Sequence, residues 1–153
     1  MDSQQSVVEI KGVLPTASGC AIFLGNESKT FVIYVDQGIG STISMTLNAV
    51  KKERPFTHDL IGHIFDGFQV EVERVLISDF EEGTYYARLI LKMSNELGTK
   101  LVEIAARPSD CIVIALQRKR SIYVSSKVLD VVDDMSEILD KILKQQQDQM
   151  PGD

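Results

Sequence analysis

Two short motifs place an arginine, a proline and an aspartate where a helix is expected to begin. The first runs from Arg54 to Asp59 (Arg-Pro-Phe-Thr-His-Asp) and the second from Arg107 to Asp110 (Arg-Pro-Ser-Asp). An arginine beside the free N–H groups of a helix start can bind a phosphate, and an aspartate near a histidine can support proton transfer. The alternative is structural, because each arginine can instead pair with an aspartate and brace the helix starts.

The polar residues of these motifs and of a neighbouring hairpin form the candidate site. A metal-dependent nuclease needs oxygen ligands for a divalent ion, Mg²⁺ or Mn²⁺. A metal-free nuclease needs a base, and cations that stabilise the phosphorane. The residue types fit either mechanism, so a divalent metal ion is the one cofactor expected. We assign as catalytic His58, Asp59 and Asp110, as substrate-binding Arg54, Arg88, Arg107 and Ser109, and as a metal ligand Asp79.

Several of these residues also have a purely structural interpretation. His58 could be a partly buried side chain bonded to a carbonyl or a carboxylate, and Asp79 could shape the hairpin turn that it begins. His63 lies one helical turn after His58 and is expected at the surface. Thr57 and Ser109 are each expected to cap the helix that follows.

The elements that must position these residues are strands in groups with helices between them, without regular βαβ alternation. This pattern indicates an α+β fold, a single compact domain with a mostly antiparallel sheet and three or four packed helices. We assign residues 1–132 to the domain and 133–153 to a C-terminal helix and flexible tail. Strands are predicted near 7–13, 20–25, 30–35, 69–78, 84–93, 100–106 and 122–124, and helices near 41–50, 57–65, from 109 into the basic cluster, for a turn or two after 125, and at 133–147.

Composition narrows the class of protein. The chain has 153 residues, 44% of them hydrophobic and 25% charged, which is typical of a globular domain. Residues 1–6 lack the basic and apolar regions of a signal peptide, and no apolar run is long enough to cross a bilayer. We therefore expect a cytoplasmic protein without a membrane partner. Cys20 and Cys111 are expected to be free, buried thiols, because their spacing fits neither a zinc site nor a redox motif.

The net charge of −6 argues against a protein that coats nucleic acid non-specifically. Two basic clusters, at 51–54 and 118–120, are interpreted as cation-rich C-terminal turns of helices, with a local nucleic-acid patch as the alternative. Gly38 and Gly40 are expected in a loop that leads into the first helix.

Four blocks of the sequence, at 54–60, 75–89, 103–116 and 122–129, resemble the bifunctional nuclease (BFN) domain family, also listed as a bacterial domain of unknown function. The third block, Glu-Ile-Ala-Ala-Arg-Pro-Ser-Asp-Cys-Ile-Val-Ile-Ala-Leu, is long and specific. The resemblance implies a compact α+β domain that self-associates as a homodimer or higher homo-oligomer. It also implies nuclease activity on RNA and single-stranded DNA.

One departure from the family pattern bears on activity. Family members usually carry a Glu-Ala pair after an apolar strand and a glycine, and Ile39 stands where that glutamate would fall. We predict a nuclease that hydrolyses phosphodiester bonds in RNA and single-stranded DNA. The alternative is a non-catalytic regulatory module that binds an anion or a partner. A third possibility, an oligomerisation subunit, depends on the apolar stripe of the last helix, formed by Ile138, Leu139, Ile142 and Leu143.

Overall fold

Seven strands and five helices account for most of residues 4–149, the part of the chain that this computed structural model describes. The end of the predicted flexible tail, at 150–153, lies outside the described residues. No helix within 4–149 combines the length and apolar character that crossing a membrane requires. In chain order the elements are β1 (Gln5–Pro15), β2 (Gly19–Gly25), β3 (Thr30–Asp36), α1 (Gln37–Leu47), α2 (Thr57–Gly67), β4 (Val70–Glu81), β5 (Thr84–Asn95), β6 (Gly98–Ala106), α3 (Pro108–Arg118), β7 (Ile122–Ser125), α4 (Ser126–Val131) and α5 (Ser136–Gln149).

The strands form one sheet in the order β3-β2-β1-β7-β4-β5-β6. All neighbours are antiparallel except β7 and β4, which run parallel. The predicted α+β fold is confirmed, and β1, β2 and β3 form an antiparallel meander. The four-residue β7 joins this meander to the second one, β4 to β6, and its central position was not predicted. The six-residue α4, expected only as a turn or two, brings the helices in the described part of the chain to five.

Helices α1 and α3 pack on one face of the sheet and enclose the main hydrophobic core. Five consecutive residues of α3, 111–115, are buried. A helix buries consecutive residues only when most of its surface is covered, and α3 contacts α1 and α2 as well as β4 and β5. This burial fixes α3 firmly, so the polar groups at its first turn are held in a defined position.

Helix α5 packs on the opposite face, where alternate residues of β2 point away from the main core. Leu139 is buried there against Ala21 and Phe23, and Leu143 packs against the same small cluster. Gly12 makes room for it, since a Cβ on Gly12 would lie 3.2 Å from Leu139 Cδ1. Part of the predicted apolar stripe of α5 is therefore used within the chain.

The helix starts differ in detail from the prediction. Thr57 and Ser109 do not cap α2 and α3, so that prediction was wrong: the residues at the two cap positions are Phe56 and Arg107. Pro108 takes the first helical position of α3, where its fixed φ and missing N–H cost nothing. This places Ser109 inside the helix, past the cap position.

Helix α1 begins four residues earlier than predicted, at Gln37, because Asp36 caps it. Asp36 Oδ1 accepts a hydrogen bond from the N–H of Ile39 at 2.8 Å. The prediction that Gly38 and Gly40 form a loop was wrong, since both lie in the helix. Gly40 is needed for close packing, because a Cβ there would lie 2.2 Å from Cys20 Sγ.

The hairpin between β4 and β5 is tighter than the predicted turn of residues 79–83. Strand β4 continues to Glu81, and Glu82 and Gly83 form a two-residue turn with φ of 50° and 79°. Two consecutive positive φ values match the right-handed twist of the flanking strands. Asp79 therefore lies in the strand and does not shape the turn.

Candidate functional site

The two predicted motifs meet at one point, where the first turn of α2 crosses the first turn of α3. His58 Nε2 lies 2.8 Å from Asp110 Oδ1, a contact between residues 52 positions apart in the sequence. Both predicted first-turn carboxylates, Asp59 and Asp110, are in place. The contact joins one residue from each motif, so the motifs form one polar cluster.

Arg107 completes this cluster from the cap position of α3. Its Nε donates to Asp110 Oδ2 at 2.8 Å, and its Nη2 donates to Oδ1 at 3.1 Å. Burial would raise the pKa of Asp110, but the hydrogen bonds from Arg107 and His58 outweigh it and hold the pKa below its ordinary value. Asp110 is thus a carboxylate that accepts from both partners. We call this set the His58–Asp110–Arg107 cluster.

The ionised Asp110 determines the proton position on His58. A carboxylate only accepts hydrogen bonds, so His58 Nε2 must donate, and the neutral ring then has its lone pair on Nδ1. No hydrogen bond from the described residues reaches Nδ1, and no buried side-chain nitrogen or oxygen within 4–149 lacks a partner. Nδ1 is therefore open to solvent, although the residue as a whole is only 7% exposed.

His58 lines a cleft of about 440 Å³, here called the His58 cleft. Arg107 stands at its edge with 65% of its side chain exposed. Ile39 also lines it. The wall combines α1, the start of α2 and the cap of α3, and its lining is Asp36, Gly38, Ile39, Thr42, Pro55, Phe56, Thr57, His58 and Arg107.

In the first motif, Asp59 has different partners from those of Asp110. Asp59 accepts from Lys52 Nζ at 3.0 Å and from Gln117 Nε2 at 3.0 Å, and from the N–H of Phe56 at 2.7 Å. Burial would raise the pKa of Asp59, but the hydrogen bonds from Lys52 and Phe56 and the charge of Lys52 lower it. Both carboxylate oxygens are engaged, so Asp59 ties α2 to the preceding loop and to α3. Arg54 is exposed and forms no ion pair within 4–149.

The remaining candidate residues fall at different places. Asp79 binds Lys127 Nζ at 2.5 Å, and that bond is the main cause of its lowered pKa. Arg88 follows the buried Ala87 on β5, so its side chain points to the face of the sheet opposite α3. Ser109 lies beside Arg107 in a cleft adjoining the His58 cleft. The structure therefore brings together His58, Asp110, Arg107 and Ser109. Asp79 and Arg88 lie away from this group.

The two basic clusters, at 51–54 and 118–120, were both interpreted as C-terminal turns of helices, but they lie at different places in the fold. Arg118 closes α3, where its guanidinium binds Asp66, and Lys119 is the C-cap with φ of 54°. The cluster at 51–54 lies in the loop after α1, not in a C-terminal turn, so that interpretation was wrong. Helix α1 ends at Leu47 with Asn48 as its C-cap, so residues 51–54 come after the helix.

Within residues 4–149, the predicted carboxylates Asp59, Asp79 and Asp110 have separate surroundings. No group of three or more His, Cys, Asp or Glu side chains that could hold a metal ion occurs in the described residues. Asp59, Asp79 and Asp110 each bind a different cationic side chain, so they are not free to converge on one divalent ion. Cys20 and Cys111 are free, as predicted, and burial, with the nearby charge of Asp110, raises the pKa of Cys111 to about 12.

Some residues of this region were not predicted from the sequence. Asp36 could have been identified, since an aspartate before a helical run is a common cap. Gln117 and Lys52 could not, because they reach Asp59 only through the packing of α3 and the α1–α2 loop. Tyr34 and Tyr85, which line the adjoining cleft, have no local sequence signal either.

Comparison with known proteins adds an independent observation. Residues 22–136 match the family model described as the bifunctional nuclease domain. Two Mycobacterium tuberculosis proteins, uncharacterized protein Rv1829 of strain H37Rv and uncharacterized protein MT1877 of strain CDC 1551, are each 34% identical over 104 residues. The alignment covers 68% of this chain and 59% of each relative. The chain thus matches less than two thirds of these relatives' length.

Proposed function

Since the chain belongs to the bifunctional nuclease domain family, we propose that it hydrolyses phosphodiester bonds in RNA and single-stranded DNA at the His58–Asp110–Arg107 cluster. One observation carries this assignment to the cluster: the 2.8 Å contact between His58 and Asp110 beside an open cleft. Aspartate-oriented imidazoles serve as general bases in hydrolytic enzymes. The two free thiols support a reducing, cytoplasmic location.

The proposed reaction uses water as the nucleophile, because DNA has no 2′-hydroxyl. The water oxygen forms a bond to phosphorus while its proton moves to His58 Nδ1. Asp110 stabilises the resulting imidazolium through Nε2, as an orienting carboxylate does. The exposed side of Arg107 faces the negative charge that develops on the phosphorane oxygens. The P–O bond to the leaving group then breaks, and the imidazolium returns the proton to the leaving oxygen.

A cleavage assay with a matched pair of histidine variants tests this proposal. Fluorescently labelled RNA and single-stranded DNA are incubated with purified wild type, His58→Ala and His63→Ala, each with Mg²⁺, Mn²⁺ or EDTA. We expect His58→Ala to lower the rate by about 100-fold or more. His63, on the same helix but in a different cleft, serves as the control and should change the rate less than about threefold.

The same assay contains the outcome that contradicts the proposal. If wild type and an Arg107→Ala/Asp110→Ala double variant cleave equally, the activity does not come from this cluster. The EDTA arm asks whether a divalent ion takes part, as the sequence led us to expect. Wild-type cleavage that persists in EDTA supports the metal-free reaction described above.

The second candidate function is a non-catalytic module that binds an anion or a partner. It is favoured by Ile39, an apolar side chain in the lining of the His58 cleft at the position where the family resemblance implies a glutamate. The variant Ile39→Glu separates the two candidates. If wild type is inactive under all conditions and Ile39→Glu cleaves, the fold supports catalysis and this chain has lost it.

We further infer self-association as a homodimer or higher homo-oligomer. Strand β6 is the end strand of the sheet and exposes Leu101 and Ile104. An exposed strand edge with apolar side chains is a surface that pairs with another chain. Light scattering of wild type and Leu101→Lys tests this, and a monomer at micromolar concentration of wild type would contradict it.

A further inference from the structure

The His58 cleft continues into two further hollows. Beyond Arg107 lies a cleft of about 390 Å³ between the outer strand β3 and the tip of the β4–β5 hairpin, here called the β3 groove. It shares Asp36 and Arg107 with the His58 cleft. It shares Tyr34, Gly83 and Tyr85 with a third hollow of about 220 Å³. The three hollows therefore adjoin one another in a row.

The third hollow, here called the aromatic pocket, is rich in rings. Tyr85 packs between Phe80 and Phe31, with ring centroids 4.4 Å and 5.8 Å away. Burial, with the nearby charge of Asp133, raises the pKa of Tyr85 to about 12, so its hydroxyl stays neutral. Tyr34 stands at the rim with 69% of its surface exposed, so its ring is accessible to a ligand.

The charges around these hollows are unusual for a nucleic-acid site. Among the described residues that line the β3 groove, Arg107 is the one cation, and it is already paired with Asp110. Asp36 and Asp133 contribute carboxylates, although Asp36 Oδ1 is occupied by the α1 cap. Phosphate attraction is therefore weak here. Any nucleic acid that binds must be held mainly by its bases, and only single strands present unpaired base faces.

We propose that the β3 groove and the aromatic pocket form a base-stacking subsite for single-stranded nucleic acid, with Tyr34 as its main exposed ring. The inference rests on the proposed function, because the hollows lead from the His58–Asp110–Arg107 cluster. A strand bound with its backbone beside Arg107 places neighbouring bases toward Tyr34 and Tyr85. The subsite excludes duplexes, whose bases are stacked in pairs, and it gives binding that depends little on salt.

Binding of short oligonucleotides tests the subsite separately from catalysis. Fluorescence anisotropy is measured with labelled single-stranded DNA of about ten nucleotides carrying phosphorothioate linkages, which resist cleavage, so binding is read without turnover. Tyr34→Ala should weaken binding about tenfold, and Tyr34→Phe should keep it, because stacking needs the ring and not the hydroxyl. Tyr86→Ala is the matched control, since Tyr86 is also exposed, at 49%, but lines none of the three hollows.

The outcomes separate this inference from the proposed function. Loss of affinity in Tyr34→Ala but not in Tyr86→Ala supports the subsite even when no cleavage is detected. Equal affinity of the two alanine variants overturns the subsite even when His58-dependent cleavage is present. Duplex DNA bound as tightly as the single strand, or affinity that falls steeply with salt, also overturns it, because both would show that phosphates dominate.

Discussion

The first turns of α2 and α3 carry the same residue type at the same place and use it differently. At α2, Asp59 is 19% exposed and receives bonds from a lysine, a glutamine and a backbone N–H. At α3, Asp110 is 27% exposed and receives its bonds from His58 and Arg107, which both reach an open cleft. The partners that tertiary packing brings to each carboxylate decide whether it braces the fold or orients a reactive group.

Arg54 and Arg107 also differ in whether they bind the aspartate of their own motif. Arg107 occupies the cap position directly before Pro108, three residues before Asp110, so its guanidinium reaches the carboxylate in a two-bond fork. Arg54 lies five residues before Asp59, and Lys52 takes the place of an arginine on that carboxylate. Two inserted residues thus change the cation that each aspartate receives.

The largest expected effect is on cleavage, in Asp110→Asn compared with Asp59→Asn. Asparagine keeps the shape but cannot stabilise an imidazolium, so we expect Asp110→Asn to lower the cleavage rate by about 100- to 10,000-fold. Asp59→Asn should stay within about threefold of wild type, since Asp59 does not line the His58 cleft. Rates on labelled RNA measure both, and equal losses in the two variants would remove the proposed division between the helix starts.

The next largest expected effect is on the free energy of unfolding. Here the important aspartate is Asp59 of α2. Asp59→Ala leaves Lys52 and Gln117 without their acceptor, so we expect a loss of about 1–3 kcal/mol in the free energy of unfolding. Asp66→Ala on the same helix is the control, because Asp66 pairs with Arg118 at the surface, where water and salt screen the pair, so this variant should change stability little. Urea unfolding measures both, and a larger loss for Asp66→Ala would contradict the bracing role.

Local patterns explain which parts of this comparison could be predicted. Alternating or continuous apolar runs between turn residues located all seven strands, and the aspartates were expected in the first turns because that position favours a carboxylate. Both depend only on neighbouring residues. The meeting of His58 with Asp110 and of Asp59 with Gln117 could not be predicted, since these partners are 52 and 58 residues apart and depend on how α2 crosses α3.

The errors have equally specific causes. A glycine usually marks a loop, and Gly40 was misread for that reason, although it lies in α1 so that the helix can approach Cys20. The aromatic pocket was missed because Tyr34 and Tyr85 lie on β3 and β5, two strands that are not neighbours in the sheet. Such contacts have no local periodicity from which they could be inferred.

A smaller effect should appear in the stability of the folded chain at acid pH. The pKa values of Asp59 and Asp110 lie below 3.8 in the folded chain, because hydrogen bonds outweigh burial. The unfolded chain then binds more protons as the pH falls, so this stability is complete above the unfolded pKa and is lost as the pH falls through the folded pKa. We expect the urea midpoint of wild type to be level above about pH 5 and to decline below it.

Matched variants show which carboxylate causes this loss of stability in acid. Asp59→Asn and Asp110→Asn each lack one of the titrating groups, so each should decline less steeply than wild type below the ordinary pKa. Comparing the two slopes shows which helix start is held more strongly by its carboxylate. Slopes identical to wild type in both variants would mean that other carboxylates, such as Asp79 with its Lys127 partner, control the acid response.

The smallest effect concerns the hydroxyls that were expected to cap the two helices. Thr57→Ala and Ser109→Ala should each change the free energy of unfolding by less than about 0.5 kcal/mol, because neither side chain occupies a cap position. Asp36→Ala is the positive control, since it removes the 2.8 Å bond to the N–H of Ile39 and should cost about 1 kcal/mol. If Thr57→Ala costs as much as Asp36→Ala, the hydroxyl caps α2 after all. The first turn of α2 would then be held by two side chains, Thr57 and Asp59, and Asp59 would no longer account for its stability alone.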